Sequence, residues 1–451
     1  MSADGSRSSN SALKSRVEDI ERAYVAANPN SKARFEQAAK PMPGGNTRTV
    51  LHFSPFPLGF AKGEGCFVED LDGHRYTDFL GEYSAGLYGH SEPVIVSAIQ
   101  EALKNGIVLG GPNRYEAGLA AELCNRFPSY DQVRFTNSGT EANLLAIAAA
   151  RLVTGRQAVM VMEGGYHGGV LYFGQHKSEI NVPGEWVYGH LNDIEQTKAA
   201  IEREAKNLAA ILIEPMMGSG GGILATPEYL KMLRAEADKH GIVLIYDEVM
   251  SSRMSYGGMQ ERLGIVPDMT TLGKYFGGGL SFGAFGGKES IMQRFDPRRA
   301  DAVSHAGTFN NNVLSMAGGL AGASKLLTRE RLEDLFQKGE TLRGRLNEVA
   351  KVRGVPIQAL GIGSIIGLHF KRGPIRQPQD VWPRDKLAAE VQTQLYTLLH
   401  LAMIAEGFYF ARRGYLTLSL PMEGRQFDGL VEAYDRVLER DGAMIAELVD
   451  R

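Results

Sequence analysis

The sequence predicts an α/β fold, a mostly parallel sheet covered by helices. Three observations carry this. Short apolar runs bounded by turn residues recur at 133–135, 158–162, 210–213, 243–246 and 269–272. Helical stretches separate them, as at 141–152 and 227–240, and that alternation is the mark of parallel strands joined through helices. The chain has 451 residues, enough to bury a large core, and 54 of them are glycine, as many tight turns require.

In chain order, residues 1–12 are rich in Ser, Gly, Asn and Asp and read as disordered. Leu13, Val17, Ile20 and Tyr24 then recur at helical spacing and predict a first helix. Residues 42–60, MPGGNTRTVLHFSPFPLGF, carry too many Pro and Gly for a regular element and read as an irregular loop. GCFVEDLDGHRYTDFL, 65–80, predicts a β-hairpin turning at Asp72-Gly73. The strand-helix alternation runs from about residue 90. After residue 328 a new unit opens with a helix over 335–354. The chain closes on a helix over 427–449 with Leu430, Tyr434, Val437 and Leu438 as its apolar stripe. No internal repeat is present.

Composition excludes several classes. Charged residues make up 22% of the chain, and 49 basic against 52 acidic residues give a net charge of -3, so nothing favours a nucleic-acid or anionic-membrane partner. No apolar run reaches the length of a membrane span, and the start lacks the apolar core of a signal peptide. Cys66 and Cys124 lack metal or redox spacing, and read as free thiols. The expectations are a cytoplasmic protein and no metal site.

Five segments carry chemistry. IVLIYDEV, 242–249, is a buried strand running into Asp247 and Glu248, at the strand end where open α/β sheets hold ligands; a helix cap or surface ion pair is the competing use. TTLGKYFGGGLSFGAFGG, 270–287, delivers Lys274 to the same edge inside a frame of glycines. The spacing is not that of a phosphate-binding P-loop. Lys274 is either a solvated charge or an amine able to form a Schiff base with a carbonyl cofactor. Ser138, Gly139 and Thr140 open a helix after a strand, where an anion is favoured and where simple capping is equally readable. Tyr166-His167, set among glycines, offers a flat ring or a packed core aromatic. SHAGTFNNN, 304–312, offers Thr308 as a phosphate ligand, or is a structural asparagine loop.

No single segment decides, but their order does. S-G-T-E-A at 138–142, Tyr166-His167-Gly168, Glu214-Pro215, Asp247-Glu248-Val249 and T-T-L-G-K at 270–274 together resemble the class III aminotransferases of the fold type I pyridoxal-phosphate enzymes, over residues 40–425. Two branches compete. MPGGN, DGHRYTDF and the glycine-framed lysine segment look like glutamate-1-semialdehyde 2,1-aminomutase. NTRTVLHFSPFPL, GHSEP and GTFNNN look like the β-amino-acid, or β-phenylalanine, aminotransferases. Asn310-Asn311-Asn312 replace the serine-glycine-asparagine-proline run usual in the aminomutase. Met250 stands where many class III members have Gln, a departure shared by both branches.

The resemblance implies a fold type I architecture with a smaller α+β domain built from the chain termini. It implies three segments: 1–74, an N-terminal helix and loop contributing to the small domain and the active site; 75–328, the large cofactor domain; and 329–451, the C-terminal small domain. It implies pyridoxal 5'-phosphate bound by Lys274 as a Schiff base, with Asp247 on the pyridine nitrogen. Ser138, Gly139 and Thr140 are expected on the phosphate, Tyr166 on the ring and Glu214 on its hydroxyl side. Thr308 is expected to reach the phosphate from the neighbouring subunit of a homodimer. Arg48 is expected to bind the carboxylate of a β-amino acid such as (S)-β-phenylalanine, and Arg413, with Arg412 as competitor, a carboxylate of 2-oxoglutarate; a surface ion pair is the plainer use of each. The rival functions are the aminomutase, an ω-amine transaminase, and a non-catalytic scaffold.

Overall fold

A computed structural model describes residues 3–175 and 178–449. Its centre is a seven-stranded sheet. In spatial order the strands are Gln132–Thr136, Gly283–Gly287, Met269–Gly273, Val243–Asp247, Leu208–Ile213, Ala158–Met162 and Trp186–Gly189. Only Gly283–Gly287 runs antiparallel to its neighbours. Every strand expected from the sequence is present. The central ones are apolar throughout because both faces are covered. Alternation along each strand divides the core in two. Val159, Val161, Leu212 and Ile245 pack under the helix Gly139–Thr154, while Met160, Ile211, Leu244 and Tyr246 pack under Pro227–His240.

The smaller part is α+β. Its three-stranded sheet joins Ile357–Ile362, Ile365–Phe370 and Tyr415–Thr417, packed by the helix Arg329–Val352, against which Gly424–Leu448 packs in turn. Leu430, Tyr434, Val437 and Leu438 are all buried there. A four-stranded sheet ties the two ends of the chain together: Phe408–Tyr409 pairs in parallel with the second strand of the expected hairpin. That hairpin, Phe67–Asp70 with Arg75–Asp78, gains Phe60–Glu64 as an outer strand. The expected division after residue 74 therefore falls inside a paired hairpin.

The N-terminus differs from the expectation of disorder over 1–12. Helix begins at Ala3 and runs to Ala27, with Met1 and Ser2 outside the described residues. The reason is cooperativity: Leu13, Val17, Ile20 and Tyr24 are buried, and once that face is anchored each further turn needs no new nucleus. Among the described residues no helix is long and apolar enough to cross a membrane.

Candidate active site

Two adjacent strands end side by side, with Asp247 paired in register with Thr271. One ends in Asp247 and the other leads into Lys274, and the strand Leu208–Ile213 brings Glu214 to the same edge. Asp247 is buried. Its Oδ2 accepts from Asn143 Nδ2 at 2.8 Å and lies 2.9 Å from His167 Nδ1, and its Oδ1 accepts the Val249 amide at 3.0 Å. It is therefore no surface ion pair. Thr271 donates to Asn143 Oδ1 at 2.6 Å, which fixes the amide that holds the carboxylate. Among the described residues, His167 Nε2 is buried without a hydrogen-bond partner.

Lys274 is partly buried and sits at φ 57°, in the left-handed region. Its Nζ donates to the Tyr83 carbonyl at 2.6 Å and to Ser84 Oγ at 2.8 Å. Burial above all pulls the amine down to about 7; Asp247 and Glu214 pull the other way, and Arg253 and Arg413 add to the fall. Glu214 accepts the amides of Tyr166 and Gly218, each at 3.0 Å. Burial pushes its carboxyl up to about 7, helped by Asp247 and opposed by His167.

Ser138 caps the helix Gly139–Thr154, its Oγ accepting the Glu141 amide at 3.2 Å. The amides of Gly139 and Thr140 open that helix, where no acceptor within the helix is available to them. Thr140 Oγ1 accepts from the Gly169 amide at 3.3 Å, tying the helix start to the glycines that follow Tyr166-His167. Tyr166 is 42% exposed, so it is not a packed core aromatic, and it meets Tyr172 edge to face at 5.9 Å.

The two arginines lie near one ring. The Arg48 guanidinium is 5.7 Å and that of Arg413 5.6 Å from the centre of Tyr83. Arg413 also lies 5.5 Å from the Tyr415 ring and donates to Ser219 Oγ at 3.1 Å. Arg48 forms an ion pair with Glu82. Arg412 and Arg413 both line a cavity of about 140 Å³, with His52, Tyr83, His400 and Tyr409. Thr308 stands apart, exposed on a turn. The asparagines of its loop are structural: Asn310 Oδ1 accepts from Asn137 Nδ2 at 3.0 Å, and Asn312 caps the helix Val313–Lys325.

Sequence reading missed Glu82, Tyr83, Ser84, Asn143 and Arg253. Asn143 and Arg253 lie in stretches the motifs already bracket. The run 82–84 had one signal, the glycines at 81, 86 and 89, which announce a turn without saying what it faces.

Residues 52–395 match the family model for class III aminotransferases. The chain is 46% identical to the β-phenylalanine transaminase of Variovorax paradoxus, over 96% of this chain and 98% of that protein. It is 34% identical to the glutamate-1-semialdehyde 2,1-aminomutase of Thermus thermophilus, over 89% and 96%. The crystal structure of a β-phenylalanine aminotransferase from Variovorax paradoxus superimposes with a TM-score of 0.92 at 45% identity, covering 96% of this chain and 98% of that one.

Proposed function

The chain belongs to the class III aminotransferases and is a pyridoxal-phosphate-dependent enzyme, and from that premise we propose that it moves the amino group of a β-amino acid such as (S)-β-phenylalanine to 2-oxoglutarate. The observation that carries this is the pair Arg48 and Arg413 about the Tyr83 ring, beside the carbonyl that receives Lys274. Arginine reads a carboxylate through a planar fork. A simple amine donor has no carboxylate for a fork to hold, whereas a β-amino acid has one, and a dicarboxylate acceptor needs a fork of its own. Tyr83, stacked at 6.0 Å on the buried Tyr415, offers a flat apolar wall to an aryl group.

The residues fit the cofactor. A helix start with open amides suits a phosphate, a buried carboxylate fixed by Asn143 suits a ring nitrogen, and an amine held near neutrality suits a carbonyl. In this reading Ser138, Gly139 and Thr140 hold the phosphate, with Thr308 of a second copy completing it in a homodimer. Asp247 keeps the ring nitrogen protonated, Tyr166 lies against the ring and Glu214 faces its hydroxyl side. When bound, pyridoxal phosphate supplies the electron sink. Lys274 would hold the cofactor's carbonyl carbon, and its free amine would take the proton from the substrate carbon that bears nitrogen, help worth roughly 10²–10⁴-fold. Arg48 orients the donor carboxylate and Arg413 that of the acceptor. The three segments 1–74, 75–328 and 329–451, and a cytoplasmic setting for the free thiols, complete the proposal.

The test is a half-reaction. The pyridoxal form is mixed with each enantiomer of β-phenylalanine without keto acid, and its spectrum followed. Conversion with one enantiomer, reversed by 2-oxoglutarate, is the expected result. No conversion, with turnover of glutamate-1-semialdehyde instead, would move the chain to the aminomutase branch.

A further inference from the structure

Gly81, Glu82, Tyr83 and Ser84 have φ of 50°, 48°, 53° and 76°. Three non-glycine residues in succession in the left-handed region are costly, because each Cβ crowds the following carbonyl. Such a run persists only where its surroundings over-determine it. Here they do. Asp78 Oδ1 accepts the amides of Leu80 at 2.8 Å and Gly81 at 3.0 Å. Thr417 Oγ1 donates to the Leu80 carbonyl at 2.9 Å and fills the space a side chain at 81 would need.

The far end of the turn is held by Arg253. This guanidinium is 1% exposed and, among the described residues, no ion pair reaches it. It donates instead to neutral groups from three parts of the chain: the Ser84 carbonyl at 3.3 Å, Ser364 Oγ at 2.8 Å and the Leu418 carbonyl. A buried charge without a counter-ion is expensive, and stability alone gives no reason to keep one. The groups the turn turns inward are the Tyr83 carbonyl and the Ser84 hydroxyl, and Lys274 Nζ occupies both.

We propose that the Tyr83–Ser84 turn is the holding site for the amine of Lys274 whenever that amine is not bonded to the cofactor, and that Arg253 is the positioning residue that keeps the turn in shape. The proposal rests on Lys274 being the cofactor lysine. The amine faces Asp247 and Glu214, which favour its proton, and Arg253 and Arg413, which oppose it. Arg253 thus both shapes the acceptors and biases the held amine toward its neutral, proton-accepting form. The turn also carries Glu82 against Arg48 and the Tyr83 ring close to both arginines, so the holding site and the proposed carboxylate readers meet on one segment.

The experiment is pulse labelling of the full-length, cofactor-free protein with acetic anhydride across a pH series, with acetylation of Lys274 followed by mass spectrometry. In the wild type, half-maximal labelling is expected at about pH 7. Arg253→Met is expected to move that midpoint upward by about one unit, and Arg253→Lys to return it, as a neighbouring like charge dictates. Ser84→Ala is expected to leave the fold intact and to raise the limiting labelling rate at high pH several-fold, because the amine is no longer held. A midpoint unmoved in Arg253→Met overturns the role of Arg253. A limiting rate unmoved in Ser84→Ala overturns the holding site, and decides the matter alone if Arg253→Met does not fold. The labelling is read without cofactor. Failure of the cofactor reading itself shows separately, as visible absorbance that survives in Lys274→Ala.

Discussion

Arg48 has two claims on it. In the structure it pairs with Glu82, with both side chains well exposed, and such pairs contribute little to stability. Its proximity to Tyr83 and its place in the loop before the first strand support the second, the proposed reading of a substrate carboxylate. Arg48→Ala should therefore leave stability nearly unchanged, raise the KM for β-amino acids by tenfold or more, and barely move that for a simple amine; steady-state kinetics on the two donors checks this, and equal effects would remove Arg48 from carboxylate recognition. Lys274 makes a different prediction, in which pH sets the sign. Its folded value of about 7 lies below the roughly 10.4 of an unfolded lysine. Below about 7 both states carry the proton and the folded chain bears the full cost of the buried charge. As pH rises from about 7 to the unfolded value, only the unfolded state stays protonated, so stability rises. Cofactor-free Lys274→Met should be more stable than the wild type at pH 6, and thermal melts should show that advantage shrinking toward pH 10. An advantage independent of pH would place the lysine's titration elsewhere.

At the scale of elements, the site is assembled where the antiparallel strand Gly283–Gly287 presses against the start of the helix Gly139–Thr154. A Cβ at 283 would stand 2.1 Å from the Ser138 carbonyl and 2.3 Å from Thr136 Oγ1, and neither can withdraw without moving the strand or the cap. Gly283→Ala should cost roughly 1–3 kcal/mol, the usual range for overpacking, and weaken cofactor binding, since Ser138 is the first residue to be displaced. Urea unfolding and cofactor titration measure the two effects; a stable variant with full affinity would mean the helix start can shift freely. This contact also shows what the sequence hides. The strand ends holding Asp247, Glu214 and Lys274 were legible because periodicity and turn residues mark where a strand stops. That Gly283 touches Ser138, or that Arg253 reaches Ser84, depends on a pairing order that no local pattern encodes. The left-handed run at 82–84 was illegible for a further reason: Glu, Tyr and Ser have no preference for that region, and tertiary contacts impose it.

For the whole molecule, the remaining question is what completes the phosphate site. Thr308 is exposed, and around its loop lies an apolar surface that a lone chain leaves open: Ile107 is 49%, Val108 79%, Leu109 54% and Phe309 58% exposed. The two segments are neighbours, since Asn113 Nδ2 donates to the Asn311 carbonyl at 2.8 Å and Asn311 Nδ2 lies 3.0 Å from Glu116. Exposed apolar side chains gathered in neighbouring segments are the mark of an interaction surface. In the homodimer proposed above, a second copy of the chain would cover it. Interface and cofactor site are then linked, because Thr308 lies beside Phe309 within the patch. The double variant Val108→Asp, Leu109→Asp touches no residue of the candidate site, yet it should shift the protein from dimer to monomer in sedimentation velocity and weaken cofactor binding in the same samples. Thr308→Ala should weaken cofactor binding while leaving the dimer whole. A monomeric variant with undiminished affinity would show that each chain completes its own phosphate site, and Thr308 would lose its role.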